Sequence, residues 1–137
     1  MSDLMVVAVL VSLVVLVVLG QWLMNRRAGL ARGPVPESLR KRCPEAVLVY
    51  FHSPRCRACG RMQPFISGLA ESHPGRVCLI DISEVPEIAC DAGVIGTPTL
   101  MTITAGRIRD VRLGDVGPGT LERIANDLGL HESNPPC

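Results

Sequence analysis

Two cysteines, Cys56 and Cys59, bracket Arg57-Ala58 shortly after an apolar run that ends at Phe51. Thiols at this spacing, at the mouth of a helix, are suited to disulfide exchange. A helix N-terminus carries unpaired N–H groups and about half a positive charge, which favours a thiolate over a thiol. Free cysteine titrates near 8.5, so such help is what makes the group nucleophilic at neutral pH. Arg55, Arg57 and Arg61 add cationic charge around the pair. Cys59 lies one turn further on, within reach of Cys56 and deeper. The expected division of labour is attack by Cys56 to give a mixed disulfide, then resolution by Cys59.

Further along stands Gly96-Thr97-Pro98-Thr99, directly ahead of a strand-like run. X–Pro bonds are the only peptide bonds that turn cis at low cost. A cis bond here would free the Thr97 backbone from the sheet and offer it to an extended substrate chain. An ordinary trans proline at a strand start is the plain alternative, and the residues by themselves leave both open. A lone C-x-x-C is also half of a structural zinc site, but no second C-x-x-C or Cys/His pair accompanies it, so no metal is expected. His52 is read as filling the strand-to-helix turn rather than as a ligand or base. Cys43, Cys78, Cys90 and Cys137 are read as passive thiols, with a redox role for Cys90 the lesser alternative. Cys78, inside Val77-Cys78-Leu79-Ile80, is expected to be a reduced, buried small hydrophobe.

The elements that must hold these residues follow from local pattern. Ala46 to Phe51 is continuous and apolar, suited to a strand covered on both faces. From Cys56 the period becomes helical, with Met62, Phe65, Ile66, Leu69 and Ala70 on one stripe. Pro64 should kink that helix, and His73-Pro74-Gly75 ends it. Arg76 to Ile82 predicts a second strand and Val85 to Asp91 a short helix. Thr99 to Thr104 and Arg107 to Leu113 form a hairpin around Ala105-Gly106, the second strand slipping once in its alternation, as at a bulge. Gly117-Pro118 opens a last helix, with Leu121, Ile124, Ala125 and Leu128 on one face and Gly129 as its stop. The order β-α-β-α-β-β-α predicts an α/β fold: a mixed sheet flanked by helices, with a right-handed parallel crossover between the first two strands.

Val47 to Leu130 resembles the thioredoxin family. The matching pieces are Val47-Leu48-Val49-Tyr50-Phe51, the Cys56/Cys59 pair, Pro64, Ile80-Asp81, Val94 to Leu100, the hairpin with Gly106 and the final amphipathic helix. The resemblance implies a thioredoxin-like fold, a redox-active Cys56–Cys59 disulfide with Cys56 as nucleophile, a cis Pro98 that binds substrate together with Thr97, and no bound cofactor. It implies protein thiols and disulfides as substrates and a reductase or oxidant as electron partner. The departures are as informative. Arg55 stands where the family commonly has Trp, Arg57-Ala58 where it has Gly-Pro, and Tyr50 where a buried acid assists the resolving cysteine. Arginines that favour the thiolate should make the disulfide more oxidising than that of thioredoxin, about −270 mV. A non-catalytic adaptor is the competing reading, against which two intact cysteines weigh.

The chain has 137 residues, one domain's worth. Leu4 to Leu19 contains a single polar residue, Ser12, and the apolar character runs on through Met24. At about 1.5 Å per residue this gives roughly 31 Å of helix, enough for a hydrocarbon core of about 30 Å. Without a basic n-region or a small-x-small cleavage site it is read as a retained transmembrane helix rather than a signal peptide. The expected organisation is an anchor over 1–25, a basic, Pro/Gly-containing linker over 26–44 with room for a short helix over Glu37 to Arg42, a thioredoxin-like domain over 45–131 and a flexible tail over 132–137. Arg26, Arg27, Arg32, Arg40, Lys41 and Arg42 follow the span and no base precedes it. That asymmetry predicts a single pass through a bacterial-type inner membrane with a cytoplasmic domain, a periplasmic one being the alternative, and a basic flank near anionic lipid. Unpaired thiols would agree with a reducing compartment. No basic stripe with interleaved aromatics exists, so nucleic acid is not an expected partner.

Overall fold

The computed structural model describes residues 2–29 and 32–130, which fall into two units divided at Leu30/Ala31. The first unit is one helix, α1 (Ser2–Gly29). Its stretch from Asp3 to Leu23 is long and apolar enough to cross a membrane, and every side chain over that stretch is exposed. A helix apolar all round has no face to present to water, unlike the amphipathic helices of the second unit.

The second unit is a five-stranded sheet between two helical layers. Its elements are β1 (Gly33–Pro34), α2 (Glu37–Arg42), β2 (Leu48–His52), α3 (Arg57–Ser72), β3 (Val77–Asp81), α4 (Pro86–Asp91), β4 (Thr99–Thr104), β5 (Arg107–Leu113) and α5 (Pro118–Asp127). The strand order is β1-β5-β4-β2-β3, with β2 and β3 parallel and the other neighbours antiparallel. Strand alternation sorts β2 between the layers. Val49 and Phe51 pack with Leu39 of α2 and Ile88 and Ala89 of α4. Leu48 and Tyr50 pack with Cys59, Met62, Ile66 and Leu69 of α3 and Leu121 and Ile124 of α5.

The expected slip in β5 is a bulge. Thr102 faces Asp110 and Ile103 faces Ile108, so Arg109 is the extra residue. The hairpin turn Ala105-Gly106 has both residues at positive φ, 51° and 71°, as tight antiparallel connections require. Helix α5 ends on Gly129 at φ 65°, with Leu130 N–H donating to Ala125 C=O (2.7 Å) and Gly129 N–H to Asn126 C=O (3.0 Å). This paired closure buries Leu130 in the core behind the stop. Helix α3 runs unbroken through Pro64.

Two expectations are corrected here. Gly33 to Cys43 was expected within a linker, yet β1 pairs with β5, Leu39 is fully buried, and Cys43 is 7% exposed in the same core cluster. The helix coincides with the short one open to Glu37–Arg42 in the sequence, whereas the strand is only two residues long and leaves no periodicity to read. Cys78 was expected as a reduced thiol, but it is half-buried and disulfide-bonded to Cys43. The argument for a reducing compartment from unpaired thiols loses its main example. Cys90 is free and exposed, while Cys137 and the tail lie outside the described residues.

Candidate active site

The site lies at one end of the sheet, where β2 ends and β4 begins. Strand β2 stops at His52, a turn follows, and Cys56 caps α3 with extended backbone (φ −92°, ψ 108°). Its sulfur accepts a hydrogen bond from the Cys59 N–H at 3.2 Å. One of the orphan donors of the helix N-terminus is therefore spent directly on the sulfur. Cys56 is disulfide-bonded to Cys59, with Cα atoms 5.3 Å apart. Cys56 is half-buried, whereas Cys59 is 1% exposed within the layer formed by α3 and α5. The outer sulfur is the one an incoming chain can meet.

Pro98 follows Thr97 through a cis bond, the form that the resemblance implies. Thr97 lies just before β4 starts, outside the ladder that begins with Thr99 opposite Phe51. Thr99 instead turns its hydroxyl back onto Gly96 C=O (2.6 Å), and Pro98 C=O accepts from Gly114 N–H (2.8 Å). The first bond closes the proline loop on itself, and the second fastens it to the residue that follows β5. Ile95 and Leu113 stand exposed beside it.

Arg55, Arg57 and Arg61 are all exposed, but they are not equivalent. Arg61 Nε donates to Asp115 Oδ2 at 2.7 Å, an exposed ion pair that offsets its charge. Arg55 and Arg57 make no ion pair among the described residues. Asp115 was not singled out from sequence; 54 residues separate the partners, and no local pattern joins them.

Tyr50 lies under the pair. It is fully buried, its hydroxyl donates to Cys59 C=O at 3.1 Å, and its ring stacks on His52 at 5.6 Å. Burial, and secondarily the Asp115 carboxylate, push its phenol above the ordinary value of 10.0. It is therefore a neutral donor that fixes backbone, not a ready proton acceptor in the manner of a carboxylate. His52 also faces Asp81 across β2 and β3. Hydrogen bonds from Ser83, side chain then backbone, hold the Asp81 carboxyl below its usual range, and the His52 charge adds to this.

A capped, reachable sulfur, a buried second sulfur and a proline loop at the same sheet end form a recurring arrangement. A family model described as thioredoxin matches residues 37–127. The chain belongs to the thioredoxin family. It is 33% identical over 82 residues to thioredoxin from Porphyra purpurea, covering 58% of this chain and 77% of that one. It is 29% identical over 84 residues to the M-type chloroplastic thioredoxin of Zea mays, covering 60% of this chain and 50% of the relative. Among solved structures, the oxidised form of mitochondrial thioredoxin 3 from Saccharomyces cerevisiae overlays with a TM-score of 0.55 at 26% identity, covering 66% of this chain and 87% of that one. The family is that of thiol–disulfide oxidoreductases, acting on protein thiols and disulfides, and this thioredoxin domain is one of them.

Proposed function

We propose that the chain is a membrane-anchored thiol–disulfide oxidoreductase that exchanges disulfides with protein substrates through Cys56 and Cys59. The observation that carries this reading is the Cys56 sulfur at the N-cap of α3, reachable from outside and hydrogen-bonded to the helix backbone, with Cys59 buried behind it. In the reducing direction, the Cys56 thiolate attacks one sulfur of a substrate disulfide. The substrate's other sulfur leaves and takes a proton. Cys59 then gives up its proton and attacks Cys56, releasing the second substrate thiol and leaving Cys56–Cys59 oxidised. Two electrons pass to the substrate; one of its two new thiol protons comes from Cys59 and the other from water, which took up the Cys56 proton when that thiol ionised. The reverse sequence oxidises a substrate dithiol, and the standing potential decides the direction. Thr97 and Pro98 hold the substrate's extended backbone beside the sulfurs, while Arg55 and Arg57 favour the thiolate.

The apolar stretch Asp3–Leu23 supports the anchor, since it has the length of a hydrocarbon core and no charge beyond Asp3 at its start. A tether confines the enzyme to substrates at the membrane surface and raises their effective concentration without altering the chemical step. A thioredoxin-like adaptor that only binds a membrane partner is the reading to be separated from this one. The full-length chain in detergent is expected to reduce insulin or exchange with glutathione disulfide. No exchange, together with no mixed disulfide retained by C59S, would leave the adaptor.

A further inference from the structure

We infer that Cys43 and Cys78 form a standing structural disulfide in the working protein, and that the thioredoxin domain accordingly faces an oxidising compartment outside the cytoplasm. The pair is independent of the active site. Cys43 and Cys78 pack in the α2/α4 layer, whereas Cys59 and Tyr50 pack in the α3/α5 layer on the other face of the sheet. Their Cα atoms are 6.2 Å apart, within the span a disulfide bridges without moving backbone.

The topology shows what the bond does. Strand β1 pairs with β5 at one edge of the sheet and β3 forms the other edge. Between them the chain from Gly33 to Cys43 crosses four strand spacings, about 19 Å at roughly 4.8 Å each. This strap is pinned at its first edge by the β1 ladder and by Val35 N–H donating to Gly106 C=O (3.2 Å). In the middle it has six residues of helix, too few to persist without support. Leu39 anchors that helix in the core, and Cys43, its last capping residue, closes the far edge through Cys78. The strap is also the route by which the chain passes from the apolar helix into the domain.

Forming the bond removes two electrons and two protons from the thiols, taken up by a protein disulfide or glutathione disulfide that becomes two thiols. Cytoplasmic thioredoxin and glutathione pools keep such pairs reduced, whereas extracytoplasmic compartments let them persist. The flanking charges that favour a cytoplasmic domain are weaker than their number. Arg40, Lys41 and Arg42 belong to α2 inside the fold, Lys41 pairs with Glu37 (3.0 Å) and Arg32 with Asp110 (3.4 Å). Arg26 and Arg27 remain as the immediate flank, and a domain crosses largely regardless of the charges within it.

The side of the membrane rests on the anchor proposed above; the pairing of sulfurs does not, and mapping reads it separately. Intact cells expressing the full-length chain are treated with N-ethylmaleimide, and the protein is digested without reductant. The expected product is a peptide pair joined through Cys43 and Cys78 with neither residue blocked; maleimide on both would overturn the inference. C43S/C78S is expected to melt on the order of 10 °C lower while reducing insulin within about twofold of the parent rate; an unchanged melting temperature would overturn the structural role. Alkaline phosphatase fused after Cys137 is expected to be active in intact bacterial cells, and an inactive fusion would overturn the assignment of side.

Discussion

The sulfur of Cys56 accepts the Cys59 N–H at 3.2 Å, so the first turn of α3 already solvates the charge a thiolate would carry. Reduced Cys56 is expected to be alkylated by iodoacetamide with a midpoint below the pH of about 8.5 typical of free cysteine. Of the three arginines, only Arg55 and Arg57 lack a carboxylate partner, which makes R57E the informative reversal. The standing potential is expected to lie above about −270 mV, and R57E to lower it by on the order of 10–20 mV, read by titration against glutathione. Tyr50 gives the second residue-scale expectation. Its folded phenol titrates above 10.0, so its stabilising contribution is complete below that value and is lost as pH rises from there through the folded value. Y50F removes the hydroxyl and its bond to Cys59 C=O; it is expected to cost about 1 kcal/mol near neutral pH and to weaken the alkaline loss of stability, both measured by urea unfolding. That Tyr50 replaces an acid was visible in the sequence; that it holds the Cys59 carbonyl depends on burial that no local spacing reveals.

At the scale of elements, the pieces that declared themselves were those whose own pattern was sufficient. The alternation of Ile108 and Val111, with a single slip, marked a strand with a bulge, and the structure places that bulge at Arg109. The period of Leu121, Ile124 and Ala125, closed by Gly129, marked α5. The two-residue β1 carries too little pattern to register, and α2, legible as a short helix over Glu37 to Arg42, is so rich in charge that its place in the core did not show. What fixes them is remote: β5 for the strand, and Cys78, 35 residues away, for the helix end. The same blindness hid Asp115, whose link to Arg61 exists only once β5 has returned to the active-site end. Leu39 tests the membership of this strap in the fold. L39A empties a fully buried site and is expected to destabilise the domain by about 2–4 kcal/mol, seen as a lower urea midpoint, whereas a linker residue would cost close to nothing.

At the scale of the whole molecule, two units with opposed solvent preferences share one chain. The second buries its apolar residues in two layers about a sheet, and the first exposes Leu and Val on all sides of a helix. Deleting residues 2–25 is expected to move the protein from the carbonate-resistant membrane pellet to the supernatant, while leaving insulin reduction by the domain unchanged. The central claim is that Cys56 forms, and Cys59 resolves, a covalent intermediate with a protein substrate. C59S removes only the resolving sulfur, so membranes carrying the full-length C59S chain are predicted to yield a larger, disulfide-linked species that reductant collapses and that C56S/C59S never forms. If C59S runs as a lone monomer indistinguishable from the double variant, the exchange mechanism at this site is contradicted.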